Sequence, residues 1–469
     1  MNEKRTVYLD HAAATPLDPQ VKEAMLPYLG EQYGNPSAIY APGRIAREAL
    51  DNARETVAQA LNCTAAEIMF TGSGTESANL AIFGVARGYR RDQVTAAGAT
   101  RDLVTKGHII TTNIEHHAVL NSCKALQNDG FEVTYLKVDH DGLVTAEQFK
   151  AAIRPDTILI SIMYANNEIG TIEPIHELTR AMQERKKELG RKPNDPPFFH
   201  TDACQAAGYL DIDVKSLGVD PVRGRSPQGD RSTASSGVAS SGVDLMTING
   251  SKIYGPKGTG ALFVRRGLKL QPLIYGGGQE MKLRSGTENV AGIVGLATAL
   301  KIATQLRDKE GQRLIALRDQ LLTGIMDRIP KVVLNGHATK RLPNNVDVSI
   351  LDIEGEAMLL YLDEHGIYVS TGSACDSQAL DPSHVILALG KPYEFAHGSI
   401  RFTLGRATSA ADIDYVLDVL SQIVSTLRKI SPVRIDVNAT GITAKTAFVG
   451  DGLPHFVKQQ SNRGKKDRL

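Results

Sequence analysis

A turn that carries two lysines follows an apolar run in this chain. The segment Asn249-Gly-Ser-Lys-Ile-Tyr-Gly-Pro-Lys-Gly258 comes directly after residues 243–248, whose composition predicts a buried strand. An amine at a strand end is held in a fixed direction and away from bulk water. Desolvation lowers the pKa of a lysine and makes its amine a nucleophile toward an aldehyde. Lys252 or Lys257 could therefore bind an aldehyde cofactor covalently, or both could be surface lysines of an ordinary Gly-Pro turn.

A glycine-rich segment between a predicted strand and a predicted helix could bind a phosphate group. Its sequence is Phe70-Thr-Gly-Ser-Gly-Thr-Glu-Ser-Ala-Asn79. Small residues such as Gly74 let the backbone approach an anion, the helix N-terminus supplies free N–H groups, and Thr75 adds a hydroxyl. Because the segment is neither a Walker A loop nor a GxGxxG fingerprint, the alternative is a glycine turn with an ordinary helix cap.

Two adjacent histidines, His116 and His117, follow another predicted strand. Neighbouring residues on a strand or at a helix start point in different directions, so they rarely bind one metal ion together. A flat imidazole stacked on a flat cofactor ring is the chemical alternative. The structural alternative is a pair of histidines at a helix start.

Polar side chains end two more predicted strands. Asp202 closes the short strand 198–201, and Asn167 follows the apolar strand 157–163. A carboxylate beside the ring nitrogen of pyridoxal phosphate (PLP) keeps that nitrogen protonated and makes the ring an electron sink. An amide could bind a substrate carboxylate or a ring hydroxyl. A helix N-cap and an Asx turn are the structural alternatives.

Two late residues complete the candidate set. Cys375 lies among small residues in Ser370-Thr-Gly-Ser-Ala-Cys-Asp-Ser377, a context that is typical of an exposed loop and of a reactive thiol. Arg401 lies on the alternating strand 399–403, where a guanidinium can bind a carboxylate through two hydrogen bonds. A helix-start cysteine and a solvated arginine are the alternatives.

Composition excludes several classes of function. The 469 residues carry 53 basic and 52 acidic side chains, so the charge of +1 predicts neither a nucleic-acid nor a membrane partner. The four cysteines form no CxxC pair, which argues against a zinc ribbon or a disulfide framework. We find no secretory h-region at the start and no apolar run long enough for a bilayer, and we expect a cytoplasmic protein.

Strand and helix signals alternate from about residue 43 to residue 265. This βα alternation predicts an α/β domain with a mostly parallel sheet covered by helices. We expect this large domain at 18–290. A smaller α+β domain is expected at 291–431, packed with an N-terminal arm at 1–17. We expect loops at 93–106 and 186–197, a flexible insertion at 221–242 and a partly mobile tail at 432–469.

The order of these candidates along the chain is more specific than any one of them. All but Arg401 and Cys375 fall at strand ends of one α/β domain, where ligands collect in open sheets. At this point the chain resembles the cysteine desulfurases of the NifS/IscS type, within the class V aminotransferase group of fold-type I PLP enzymes. The resemblance covers nearly the whole of residues 6–431. The motifs that carry it are Tyr8-Leu-Asp-His-Ala-Ala-Ala-Thr-Pro16, Gly34-Asn-Pro-Ser37, Thr71-Gly-Ser-Gly-Thr-Glu-Ser77, Glu115-His-His-Ala-Val119, Asn166-Asn-Glu-Ile-Gly170, Thr201-Asp-Ala-Cys-Gln205, Ser251-Lys-Ile-Tyr-Gly-Pro-Lys-Gly258, Arg284-Ser-Gly-Thr287, Gly372-Ser-Ala-Cys375 and Ser399-Ile-Arg401.

The resemblance implies a role for each cofactor-binding residue. Lys252 forms the Schiff base with PLP and later moves the Cα proton. Gly74 and Thr75 hold the phosphate of PLP. His116 stacks on the ring and helps with proton transfer. Asp202 pairs with the pyridine nitrogen.

The remaining roles follow from the same resemblance. Gln205 bonds the ring hydroxyl, and Asn167 and Arg401 hold the substrate carboxylate. Thr287 reaches the phosphate from the second subunit of a homodimer. Cys375 accepts sulfur from L-cysteine as a persulfide and leaves L-alanine. The expected partner is an iron–sulfur scaffold or another sulfur-acceptor protein.

The chain departs from the family pattern in the residues directly before Lys252. Relatives usually carry Ser or Thr and a histidine in the three positions before the Schiff-base lysine, whereas this chain has Asn249, Gly250 and Ser251. We expect Asn249 and Ser251 to donate hydrogen bonds to the cofactor phosphate. The insertion at 221–242 and the tail are also unlike the family.

Other functions are compatible with parts of this pattern. A selenocysteine lyase or a class V aminotransferase would use the same cofactor, although an aminotransferase needs no thiol at Cys375. A non-catalytic protein of sulfur trafficking would need none of the reactive groups that this chain retains.

Overall fold

The computed structural model describes residues 5–97, 107–218, 242–372 and 382–432. The strands, in chain order, are β1 (Val7–Tyr8), β2 (Ile68–Thr71), β3 (His108–Thr112), β4 (Glu132–Leu136), β5 (Thr157–Ser161), β6 (Phe198–Asp202), β7 (Leu245–Asn249), β8 (Gly260–Val264), β9 (Val332–Leu334), β10 (Asn345–Ile350), β11 (Ile367–Tyr368) and β12 (Ser399–Thr403). The helices are α1 (Pro19–Leu29), α2 (Ala41–Ala60), α3 (Gly74–Ala97), α4 (His117–Asn128), α5 (Ala146–Ala152), α6 (Ile175–Glu188), α7 (Val290–Arg328), α8 (Gly355–Glu364), α9 (His384–Ala388), α10 (Tyr393–His397) and α11 (Ala410–Ile430).

A seven-stranded sheet forms the larger part of the described chain. Its strand order is β2-β8-β7-β6-β5-β3-β4, and only β8 runs antiparallel to its neighbours. Strands β3 and β5 are buried at every position, as expected when helices cover both faces of a sheet. Because β5, β6 and β7 are parallel neighbours, their carboxyl ends lie at one edge of the sheet.

A second sheet is built from residues far apart in the chain. Strand β10 pairs antiparallel with both β9 and β12, and the register places Asp347 opposite Arg401. The N-terminal strand β1 pairs parallel with β11, so the first described residues belong to this second region.

The apolar clusters divide along the same regions. Two of them pack on the large sheet, and another contains Val7, Leu9 and the strands β9, β10 and β12. Helix α7 contributes its first half to a cluster of the large sheet and its second half to the cluster of the second region. The proposed division at residue 290 therefore falls at the start of a helix that serves both cores.

By its length and composition alone, helix α7 could cross a membrane. It is the one such helix in the described ranges, and 56% of its apolar window is buried inside the protein. Its apolar residues are thus largely used in packing.

The predicted elements are present in the structure, but several of their ends differ; the strand expected at 157–163, for example, ends at Ser161. The helix expected after the glycine-rich segment is α3, and it continues to Ala97, so residues 93–97 are helical rather than part of the expected loop at 93–106. Its glycines allow the helix to pack against a neighbouring segment, because a Cβ on Gly84 would lie 3.2 Å from Leu270. Helix α6 likewise extends to Glu188, into the loop predicted at 186–197.

Candidate active site

A cavity of about 170 Å³ lies at the carboxyl edge of β5, β6 and β7. Five parts of the chain form it: the N-terminal arm, the start of α3, the strand ends of the large sheet, Gly372 after β11, and β12. The residues lining it are Ala12, Ala13, Gly74, Thr75, His116, Ala118, Met163, Ala165, Asn167, Asp202, Cys204, Gln205, Asn249, Lys252, Gly372 and Arg401. Most of the residues predicted from the sequence therefore share one cavity.

Lys252 presents its amine to this cavity from a single 3₁₀ turn that follows β7. Asn249 caps the turn, because its side-chain oxygen accepts a hydrogen bond of 3.2 Å from the N–H of Ser251. The Nζ atom donates to the carbonyl oxygens of Ala12 and Ala13, at 2.7 and 2.6 Å. Lys257 is exposed and does not line the cavity. Of the two lysines in the turn, only Lys252 has the required position.

The start of α3 contributes the phosphate-binding candidates Gly74 and Thr75. The first N–H groups of a helix lack intrahelical acceptors and favour an anion. Ser73 accepts from the N–H of Glu76 at 3.1 Å, which satisfies one of these groups. A Cβ on Gly74 would lie 2.7 Å from Sγ of Cys204, so no larger side chain fits there.

His116 precedes α4 as its N-cap, and its Nδ1 atom accepts the N–H of Ala118 at 3.1 Å. Burial lowers the pKa of His116; the charge of Asp202 raises it by less, and the charge of Lys252 lowers it further. The ring is therefore neutral near pH 7, with its proton on Nε2. His117 does not line the cavity, and the described residues contain no group of three or more potential metal ligands.

Asp202 and Gln205 come from the turn that follows β6. One carboxylate oxygen of Asp202 accepts the N–H of Cys204 at 2.9 Å, and the amide of Gln205 donates to the carbonyl of Ala12 at 3.0 Å. Burial raises the pKa of the Cys204 thiol well above its usual value, and Asp202 adds to this effect. Cys204 is therefore a neutral thiol beside an ionisable carboxyl group.

Arg401 brings the second sheet to the cavity. Its guanidinium donates to the backbone carbonyl of Asn167 at 2.9 Å and to a carboxylate oxygen of Asp10 at 2.8 Å. Its Nε atom is buried and has no partner among the described residues. The expected two-bond contact with a substrate carboxylate thus competes with an existing ion pair to Asp10.

Two of the predicted site residues that the structure describes do not line the cavity. Ser251 donates through its hydroxyl to the side chain of Asn249 at 3.2 Å instead. Thr287 is exposed and lies outside the cavity of its own chain. Cys375 lies outside the described residues, as do residues 221–241 of the predicted insertion and 433–469 of the tail.

The structure also adds residues to which the sequence assigned no role. The carbonyl groups of Ala12 and Ala13 accept from Lys252, and Asp10 pairs with Arg401. All three belong to one motif of the N-terminal arm. A backbone carbonyl leaves no trace in side-chain chemistry, so only the resemblance itself pointed to this stretch.

Comparison with known proteins connects this site to one family. The model of the family "Aminotransferase class-V" matches residues 7–222 and 233–416, and the interruption lies inside the predicted insertion. A cysteine desulfurase IscS of Dictyoglomus turgidum is 49% identical over 430 residues, which are 92% of this chain and 97% of that protein. The chain belongs to the class V aminotransferase family and to its cysteine desulfurases.

Further relatives agree with this membership. A cysteine desulfurase IscS of Methanosarcina thermophila is 47% identical over 431 residues, covering 92% of this chain and 95% of that protein. A solved structure described as a NifS-like protein has 34% identity and a TM-score of 0.76, covering 90% of this chain and all of that one.

Enzymes of this family depend on PLP, and the cavity of this family member fits that cofactor. A lysine amine, a buried carboxylate and the glycine-rich start of a helix surround one space. Gly74 leaves room where any Cβ would strike Cys204. Lys252, Asp202 and the first N–H groups of α3 would thus hold the aldehyde, the ring nitrogen and the phosphate, respectively.

Proposed function

We propose that this protein is a PLP-dependent cysteine desulfurase in which Cys375 accepts the sulfur of L-cysteine and L-alanine is released. The observation that carries the proposal is the convergence of Lys252, Asp202, His116 and Arg401 on one cavity, although they come from four separate parts of the chain. The family membership agrees with this activity.

Each residue has a task that its position permits. PLP, when bound, withdraws electrons from the Cα of the amino acid and acidifies its proton. The amine of Lys252 removes that proton and returns one to the product. Asp202 would keep the ring nitrogen protonated, His116 would stack on the ring as a neutral imidazole, and Arg401 would orient the substrate carboxylate.

Sulfur transfer needs a thiolate that is free to reach the substrate. The thiolate of Cys375 attacks the substrate sulfur, an S–S bond forms, and the C–S bond breaks. The electron pair of that bond and one proton complete the methyl group of alanine, so no external reductant takes part. Cys204 is unsuited to this attack because burial raises its pKa and keeps it a thiol.

A pair of cysteine variants tests the assignment. Cys375→Ala should stop persulfide formation and lower alanine release from L-cysteine about 10³-fold, while Cys204→Ala should stay within about threefold of the wild type. Full activity of Cys375→Ala would contradict the proposal. Comparison of L-cysteine with L-selenocysteine and with an amino-group acceptor distinguishes a selenocysteine lyase or an aminotransferase.

We further propose that the enzyme is a homodimer with shared active sites. Large apolar side chains are exposed on two stretches, among them Leu29, Tyr33, Ile39 and Tyr275. A concentration of exposed apolar side chains on a protein surface favours association with another protein chain. Thr287 follows the second stretch and is exposed, which supports a role at the phosphate of the partner subunit.

Mixing of two defective variants tests the shared site. If Thr287 serves the partner, a heterodimer of Thr287→Ala and Lys252→Ala contains one site with neither defect. Random mixing should then restore about one quarter of the wild-type activity, because half the dimers are mixed and each has one intact site of two. If Thr287 served its own chain, no intact site would form and the mixture would stay inactive.

The cellular setting follows from the same activity. A persulfide must pass its sulfur to an acceptor, and we propose an iron–sulfur scaffold or another sulfur-acceptor protein in the cytoplasm. Pull-down with the persulfidated enzyme, compared with Cys375→Ala, identifies acceptors that depend on the sulfur.

A further inference from the structure

Glu168 is a buried carboxyl group to which none of the roles above applies. It is 5% exposed and lies next to Asn167, which lines the cavity. Its N–H donates to the side chain of Asn166 at 2.8 Å, and its carbonyl accepts from the amide of Asn345 at 2.8 Å. The backbone of Glu168 is therefore fixed between the two sheets.

The carboxyl group of Glu168 contacts two residues that flank Cys375 in the chain. The hydroxyl of Ser383 donates a short hydrogen bond to Oε2 of Glu168. On the other side, a Cβ on Gly372 would overlap the same oxygen atom and would lie 3.0 Å from Cβ of Ser383. Gly372 and Ser383, which lie on the two sides of Cys375 in the sequence, therefore both lie against a single carboxyl group.

A second contact fixes the returning chain beside a catalytic residue. The Nε2 atom of His384 lies 3.1 Å from the backbone oxygen of Glu115, directly before His116. The ring of His384 also packs against His117 at 4.8 Å between centroids. Ser383 and His384 are therefore held on two strand ends that also carry cavity residues.

We infer that Glu168 is a positioning residue for sulfur transfer: its carboxyl group holds Gly372 and Ser383 together at the cavity and so sets how readily Cys375 reaches the substrate sulfur. The inference rests on the proposed function, because it needs Cys375 as the sulfur acceptor. On this inference, loss of the carboxyl group should slow persulfide formation more than it weakens the binding of PLP or of L-cysteine. A misplacement of about 1 Å at a reacting group costs about 10²-fold in rate, so the effect is measurable.

The protonation state of Glu168 indicates which substitution should preserve its contact with Ser383. Burial raises the pKa of Glu168 to about 8, although Ser383 and Arg401 oppose this effect. The group is then mostly neutral near pH 7. A glutamine has the same shape and an oxygen that accepts from Ser383, so Glu168→Gln should preserve the contact that Glu168→Ala removes.

The test separates sulfur transfer from the steps before it. Full-length holoenzyme is mixed with L-cysteine, and two signals are recorded in a single turnover: the absorbance change of PLP and the persulfide on Cys375. For Glu168→Ala we expect persulfide formation to slow 10- to 100-fold with an absorbance change within about twofold of the wild type. Glu168→Gln should restore the rate to within about threefold.

A matched control excludes a general effect of losing a buried carboxyl group. Glu173 is 1% exposed and accepts from the N–H of Val144, away from Gly372 and Ser383. Glu173→Gln should leave persulfide formation near the wild-type rate. Equal slowing of Glu173→Gln and Glu168→Ala would contradict the inference.

A second pair of variants serves if Glu168→Ala does not fold. Ser383 also caps α9, because its hydroxyl accepts the N–H of Ile386 at 3.2 Å. Ser383→Thr keeps both contacts and Ser383→Ala removes both, so only the latter should slow persulfide formation. Wild-type rates in Ser383→Ala would overturn the inference. If Cys375→Ala itself were active, the proposed function would fail instead.

Discussion

The amine of Lys252 donates a hydrogen bond of 2.7 Å to the backbone carbonyl of Ala12, 240 positions earlier in the chain. The amide of Gln205 donates to the same oxygen at 3.0 Å. One carbonyl of the N-terminal arm therefore connects two residues at the ends of neighbouring strands. The arm is a wall of the active site, and its carbonyl groups fix the direction of the lysine amine.

Replacement of this lysine should abolish both cofactor attachment and turnover. Lys252→Ala removes the only cavity-lining amine of the turn, so we expect no visible absorbance band after addition of PLP and a loss of about 10³-fold or more in alanine release. Lys257→Ala alters an exposed lysine five residues away and should retain both signals. A normal absorbance band in Lys252→Ala would exclude it as the attachment site.

Gly74 is expected to control the affinity for PLP. A Cβ at this position would lie 2.7 Å from Sγ of Cys204 and 3.2 Å from Cβ of Asn249, so Gly74→Ala must displace the phosphate-binding turn. We expect the Kd of PLP to rise about tenfold, measured by titration of the apoprotein. Cys204→Ala in the same chain should restore part of the affinity because it removes the nearest atom. Gly30→Ala, which has no atom within 4 Å of the added Cβ, should bind PLP normally.

The two adjacent histidines should differ in importance. His116→Asn removes the imidazole that lines the cavity, and we expect kcat to fall about 10²-fold. His117→Asn should change kcat less than about threefold, since its ring packs against His384 outside the cavity. Because burial lowers the pKa of His116 below its usual value of 6.5, activity should persist through pH 6.5 before this group is protonated. Comparable losses in both variants would contradict this distinction.

Glu115 should make the stability depend on pH. Burial raises its pKa from 4.5 to about 8, although the hydroxyl of Thr112 and the N–H of Met163 both donate to its Oε1 atom. Between pH 4.5 and 8 the folded state keeps a proton that the unfolded state has lost. The free energy of unfolding therefore falls as the pH rises through this window, by about 1 kcal/mol per pH unit from this group.

A glutamine at position 115 isolates this effect. Glu115→Gln has no proton to lose, so its stability relative to the wild type should increase from pH 5 to pH 8 in urea titrations. Glu23→Gln, on the exposed surface of α1, should show a difference that is the same at both pH values. A constant difference for Glu115→Gln as well would mean that the carboxyl group is ionised in the folded state.

The strand ends could be predicted from the sequence because they depend on local composition. Asp202 and Lys252 each follow a short apolar run, and parallel neighbours bring such ends to one edge of a sheet. Helix α3 shows the limit of local reasoning, since a glycine that usually weakens a helix here permits close packing against Leu270.

The sequence by itself determined the α/β class, the strand-end residues and, through its motifs, the family. Only the tertiary structure decided that Ala12 faces Lys252, that Arg401 is paired with Asp10, and that Glu168 contacts both neighbours of the Cys375 segment. These contacts join residues more than 200 positions apart. Local sequence patterns determine the strands and helices. The burial of a side chain and its hydrogen-bond partners depend instead on how distant segments pack, and burial and partners together set the orientation and the pKa of each active-site side chain.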